Sequence, residues 1–135
     1  MYLLDTNVVS ELRRPKPDAA VLRWIEEIPA DRLFLSAVTV GEIQAGIEIA
    51  RERDHAKAAE IEAWLDAISF SYSILPMDGP AFREWARLKH GQPEALFEDA
   101  MIAAIARLHR LVVATRNIRD FRKLRVEFVD PFAGD

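Results

Sequence analysis

The stretch Tyr2-Leu3-Leu4-Asp5-Thr6-Asn7 decides the fold. Three apolar residues in a row read as a short buried strand, and a carboxylate follows them at once. Thr6 or Asn7 can cap a helix running to about Arg13, where Pro15 and Pro17 stop it. A fully apolar strand feeding straight into a helix belongs in a parallel sheet with helices on both faces.

The same unit recurs outward from this point. LFLS at 33–36 is a second short strand, and a helix follows from Thr39 to about Arg53. Ile74-Leu75 is a third strand, closed by Pro76. LVVA at 111–114 is a fourth, and residues 127–129 are a candidate fifth. Helices fill the intervals. One covers 19–28 behind Asp18, with Val21, Leu22, Trp24, Ile25 and Ile28 on its apolar face. Another covers 55–70, with Ile61, Trp64, Leu65 and Ile68 at helical spacing. Two more cover 78–89 and 96–110. Short apolar strands alternating with helices predict a three-layer α/β/α sandwich around a central parallel sheet. No repeat, linker or low-complexity tract interrupts it, so residues 1–135 read as a single domain.

Composition narrows the function classes. Of 135 residues, 50% are apolar and 30% charged, a soluble globular balance. The apolar runs fall far short of the roughly 18 residues a membrane span needs, so no membrane partner is expected. The N-terminus has no basic segment of a secretory signal. Cysteine is absent, which removes disulfides, thiol catalysis and cysteine-held metals and fits a cytoplasmic protein. The net charge of −4 sits badly with a nucleic-acid partner. Its distribution does not: Arg116, Arg119, Arg122, Lys123 and Arg125 face only Asp120 in one segment, and Arg13, Arg14 and Lys16 form a second basic patch. A solvated surface is the plain alternative.

The acids fall at telling places. Ligands of a parallel sheet collect beyond the carboxyl ends of its strands, where Asp5 sits. Glu42 has Val38, Ala45, Gly46 and Ile49 as helical neighbours, a face expected to be buried; an arginine salt bridge is the alternative. Asp99 rides likewise among Ala95, Leu96, Ile102, Ala103 and Ala106, or merely answers a helix dipole. Its neighbour Glu98 is expected to face solvent. Three carboxylates brought into one crevice repel unless a divalent cation sits among them. Oxygen-only ligands point to Mg²⁺, with Mn²⁺ as a substitute. His55, His90 and His109 share no ligand spacing. After the fourth strand, Thr115 and Asn117 can reach the crevice and Asp120 lies one turn on, unless these residues only shape the turn.

With those residues in view, the chain resembles a known family. LLDTN with Ser10, SAVTVGEIQAGI (36–47), EDAMIAAIARLH (98–109) and VATRNIRDF (113–121) followed by VDPF are similar to the signatures of PIN-domain VapC toxins, most of all their FitB-like branch. The resemblance covers nearly the whole chain in the right order. It implies that Asp5, Glu42 and Asp99 are the acidic metal-site residues, with Asn117 or Asp120 completing the set. It also implies an endoribonuclease neutralised by a small VapB-like antitoxin whose tail fills the groove, a complex that binds operator DNA through the antitoxin, and a homodimer.

The chemistry then expected is hydrolysis of RNA by metal-activated water. Asp5 and Asp99 hold the ion, Glu42 ligates or orients water, and Thr6, Asn7, Thr115 and Asn117 support them. Arg116 or Arg119 clamps a flanking phosphate. An aspartyl phosphatase would want a second Asp where Asn7 stands, and a receiver domain would want a Lys after an apolar strand. The stronger rival is a catalytically weak binding module acting with an antitoxin on DNA. Trp24, Trp64, Trp85 and Phe82 offer apolar surface for a partner or a core.

Overall fold

The computed structural model describes residues 1–133. Its central strand is β1 (Tyr2–Leu4), which sends Leu3 into one apolar cluster and Leu4 into another on the opposite face. Both leucines are wholly buried. On one side β1 pairs in parallel with β2 (Leu33–Ser36), Tyr2 opposite Leu33. On the other it pairs in parallel with β4 (Val112–Ala114), Leu4 opposite Ala114. With β3 (Ser73–Leu75) and β5 (Phe128–Val129) at the edges, the order is β3-β2-β1-β4-β5, parallel throughout.

Seven α-helices among the described residues cover this sheet. Over the Leu4 face lie α1 (Thr6–Val9), α2 (Ala19–Glu26), α3 (Ala37–Arg51) and α4 (His55–Ser71), which supply Val8, Val9, Val21, Ile25, Ile47 and Leu65 to the core. Over the Leu3 face lie α5 (Gly79–Lys89), α6 (Phe97–His109) and α7 (Ile118–Arg122). Their buried residues include Leu88, the run Ile102–Ala106 and Phe121. This is the three-layer sandwich read from the strand–helix alternation.

Several boundaries differ from expectation for local reasons. Asp5, not Thr6 or Asn7, caps α1, its Oδ1 accepting the Thr6 N–H at 2.8 Å. After one turn α1 tightens into a 3-10 segment over Ser10–Arg13. There the buried Glu11 accepts the Asp18 N–H at 2.8 Å and ties this segment to the start of α2. Ser36, the last residue of β2, caps α3 by accepting the Thr39 N–H at 3.0 Å, so that helix begins at Ala37. Residues 118–122 form a short helix that was not assigned from sequence, and it drives Phe121 into the core. The three tryptophans are half-buried and pack on the two cores, whereas Phe82 stays exposed. Among the described residues, no helix is long and apolar enough to cross a membrane.

Candidate active site

Parallel strands end on the same edge, and there the topology gathers the acids. The Asp5 N–H continues the β1–β4 ladder by donating to the Ala114 carbonyl at 2.9 Å. That bond fixes the backbone, and side-chain donors fix the carboxylate. Oδ2 accepts from Thr115 Oγ1 at 2.7 Å and from Asn7 Nδ2 at 3.2 Å, while Oδ1 takes the Thr6 N–H. Only 3% of Asp5 is exposed. Burial raises its carboxyl above the ordinary range, its three donors oppose the rise, and the charge of Glu98 adds to it.

Thr115 works in both directions. Its hydroxyl accepts the Asn117 N–H at 2.9 Å while donating to Asp5. Asn7 completes the clamp by accepting the Arg116 N–H on its Oδ1 at 3.1 Å. The loop after β4 is therefore bolted to the loop after β1. The Asn117 side chain makes no cap for α7 and stands exposed, so its backbone carries its link to the site.

Glu42 reaches the same edge from the second turn of α3. Burial, then the charge of Glu98, pushes its carboxyl up to about 7; a hydrogen bond from Thr6 pulls it back, while Asp5 and a hydrogen bond with Glu98 push it further. Asp99, from the first turn of α6, is also pushed up to about 7, by burial and then by the charges of Asp5, Asp120 and Glu98. Asp5 and Glu98 thus act on both Glu42 and Asp99, and Asp120 acts on Asp99.

One expectation needs correcting and one extending. Glu98 is exposed, as expected, yet its charge reaches Glu42 where α3 packs against α6. Its signal was the Glu98-Asp99 pair itself, two adjacent acids at a helix start. The face of α3 carrying Glu42 is also not buried farther along. Ala45 and Gly46 are exposed and Ile49 is 66% exposed, because α3 meets the core through Thr39, Ile43 and Ile47 instead. The buried hydroxyls of Ser36 and Thr39 were not singled out from sequence.

Arg116 stands at the rim with its guanidinium 3.8 Å from the centroid of the Phe132 ring. Arg116, Arg119 and Arg122 line an open groove of about 570 Å³ with Asn117, Ile118 and Asp120. All three histidines are exposed.

The donor set is all oxygen. The charge of Glu98 beside Glu42 disfavours a second negative charge there, which a cation would relieve. Among the described residues, however, no three ligating side chains already close around one point.

A model of the PIN domain matches residues 2–127. The chain belongs to the PIN-domain family. This PIN domain is 33% identical to the Toxin FitB of Neisseria gonorrhoeae, over 98% of this chain and 99% of that one. It is 34% identical to the VapC ribonuclease Y4jK of Sinorhizobium fredii, over 98% of each. The solved structure of FitAB bound to an IR36 DNA fragment superposes with a TM-score of 0.85 at 33% identity, covering 98% of this chain and 96% of the other.

Proposed function

We propose that this PIN domain is a Mg²⁺-dependent endoribonuclease, with Mn²⁺ as a substitute, and the toxin half of a toxin–antitoxin pair. The observation that carries this reading is the meeting of carboxylates from β1, α3, α6 and α7 at one end of the sheet. Asp5 and Asp99 would hold the ion, with Glu42 as a further ligand or a partner of its water. When bound, the ion supplies charge neutralisation on the scissile phosphate and a lowered pKa for water. Thr115, Asn7 and the Thr6 N–H keep Asp5 aimed into the crevice. Glu42 would alternatively orient the attacking water. Asp120 adds negative charge beside Asp99. Arg119 is the better phosphate clamp, since the Arg116 guanidinium is already stacked on Phe132.

The names of the relatives support the biological side. One is called a toxin and another a ribonuclease, and a structural neighbour is a FitAB complex on DNA. By that likeness the chain acts in the cytoplasm as one domain over residues 1–135. It pairs as a homodimer, is silenced by a VapB-like antitoxin and reaches operator DNA through that antitoxin.

The test is to map product ends on a defined RNA cut by the purified chain with Mg²⁺ and with chelator. Attack by water leaves 5′-phosphate and 3′-hydroxyl ends and stops on chelation. A 2′,3′-cyclic phosphate would overturn the mechanism. Growth arrest on expression should vanish in Asp5→Ala; equal toxicity of the variant would favour a binding module over an enzyme.

A further inference from the structure

The basic run at 116–125 reaches farther than the chemistry above requires. Arg116, Arg119 and Arg122 line the groove beside the carboxylates. The Arg122 guanidinium lies 5.7 Å from the centroid of the Phe128 ring, and Glu127, the residue before that ring, lines a second pocket of about 560 Å³. Arg107, Arg110 and Arg125 share this pocket, with the buried Leu111 in its wall. Leu111 precedes β4, whereas Thr115 at the other end of that strand bonds Asp5. The pocket therefore lies at the opposite end of the sheet from the acids. Along α6, Arg110 stands roughly 16 Å beyond Asp99, at about 1.5 Å per residue.

Two of these arginines stand where an arginine is costly. Arg110 caps the C-terminus of α6 at φ 56°, and Arg125 sits at φ 52°. Among the described residues they are the two non-glycine positions of positive φ. Left-handed backbone disfavours any side chain with a Cβ, and glycine is the usual choice after a helix. Packing does not ask for arginine either, since both residues are exposed. Arg107 is already held, by Glu84 at 3.1 Å and by the Arg125 carbonyl. Arg110 and Arg125 form no ion pair among the described residues, and together they outweigh the one acid of the pocket, Glu127. Salt confines an exposed charge to about 8 Å at physiological ionic strength. From twice that distance they do not act on a phosphate at the acids, so a ligand has to reach them.

We propose that Arg110 and Arg125 bind the phosphodiester backbone of the RNA strand well away from the scissile bond, at the far end of a basic track that begins at Arg119. Phosphate oxygens are what two unpaired guanidiniums fit, and an extended strand is a ligand long enough to run from the acids to them. Arg122 and Lys123 carry the charge between the two ends. This inference rests on the nuclease reading for the start of the track, and it adds a length requirement: the substrate extends several nucleotides past the cut on one side.

The test measures binding of single-stranded RNA of about 4 and about 16 nucleotides, the span of known single-strand sites, to the full chain by fluorescence anisotropy in chelator. The variants are Arg110→Gly/Arg125→Gly, Arg110→Lys/Arg125→Lys and, as a charge control on two exposed cations outside the track, Arg32→Gln/Arg53→Gln. The glycine pair removes two charges while easing the backbone, so its urea midpoint should not fall below that of the wild type. It should bind the longer RNA roughly tenfold more weakly and the shorter RNA with far less change. Its salt slope on the longer RNA should drop by about 1.4, at about 0.7 per phosphate contact. The lysine pair should lose less than the glycine pair, because it keeps the charge. Equal weakening for both lengths, an unchanged salt slope, or an equal loss in the control pair would overturn the proposal. So would polyglutamate of matching charge binding as tightly as the RNA, which would assign the surface to an acidic polypeptide. Should the glycine pair not fold, Arg110→Gln/Arg125→Gln carries the same comparison. If the chain binds the longer RNA through these arginines but cleaves none with Mg²⁺, the nuclease reading fails and the track stands. If it cleaves RNA while the glycine pair binds as the wild type does, the track alone falls.

Discussion

Thr115 Oγ1 donates a 2.7 Å hydrogen bond to Asp5 Oδ2 across 110 positions of sequence, and both groups are buried. That bond joins the loop after β4 to the loop after β1. Hydrogen bonds to charged groups contribute about 1.5–3 kcal/mol. Thr115→Val should therefore destabilise the protein by about that much in urea titrations at pH 7 and slow cleavage by roughly tenfold or more. Thr115→Ser should recover most of both. A valine variant of wild-type stability would mean that water replaces the hydroxyl.

The raised carboxyls make stability depend on pH with an unusual sign. Glu42 and Asp99, ordinarily near 4.5 and 3.8, are pushed up to about 7 in the fold. Between those limits the folded state binds more protons than the unfolded chain, so stability falls as pH rises. Without divalent ions, the unfolding free energy should decline from pH 5 to pH 8. Both groups are partly solvated, so the decline is discounted to about 1–2 kcal/mol. Added Mg²⁺ should restore it at pH 8. A flat profile in chelator would show that these acids do not share a field.

Removing one acid should separate stability from activity. Asp99→Asn deletes a charge that Asp5, Asp120 and Glu98 all oppose. At pH 8 without metal this variant should unfold at higher urea than the wild type, while its cleavage rate drops by about 100-fold or more. Loss of both stability and activity would argue for a structural role.

Glu98→Gln probes the acid that sequence reading set aside. Its charge is the second cause of the rise at Glu42 and also acts on Asp5 and Asp99. The variant should flatten the decline in stability between pH 5 and pH 8 measured without metal. An unchanged slope would place Glu98 in bulk solvent.

Glu11 supplies a control far from the chemistry. Its Oε1 accepts the Asp18 N–H at 2.8 Å and its Oε2 pairs with Arg14 at 3.3 Å. Glu11→Ala should cost about 1–3 kcal/mol, the range for an orphaned buried donor, with Mn²⁺ affinity unchanged.

The sheet was legible because its strands carry their own boundaries. Each is a short run stopped by an acid, a serine, a proline or a threonine, and in β1, β2 and β4 burial on both faces leaves no alternation to misread. The crevice was legible in outline, since an acid directly after a strand or at a helix start has few directions to point. What the sequence withheld was lateral. That the exposed Glu98 also acts on Glu42 depends on how α3 leans on α6, which no local pattern encodes. The exposed stripe of Ala45, Gly46 and Ile49 misled for the same reason, because helical periodicity names a face without saying what covers it. The buried hydroxyls of Ser36 and Thr39 were hidden because both residues read as ordinary cap residues.

The parallel pairing of residues 2–4 with 112–114 joins segments about 110 positions apart. A contact of that range closes a long loop and is slow to form, so the crevice assembles only once the helices between the two strands have packed. A break anywhere in that loop would loosen the carboxylates from one another while leaving each local helix its own capping bonds.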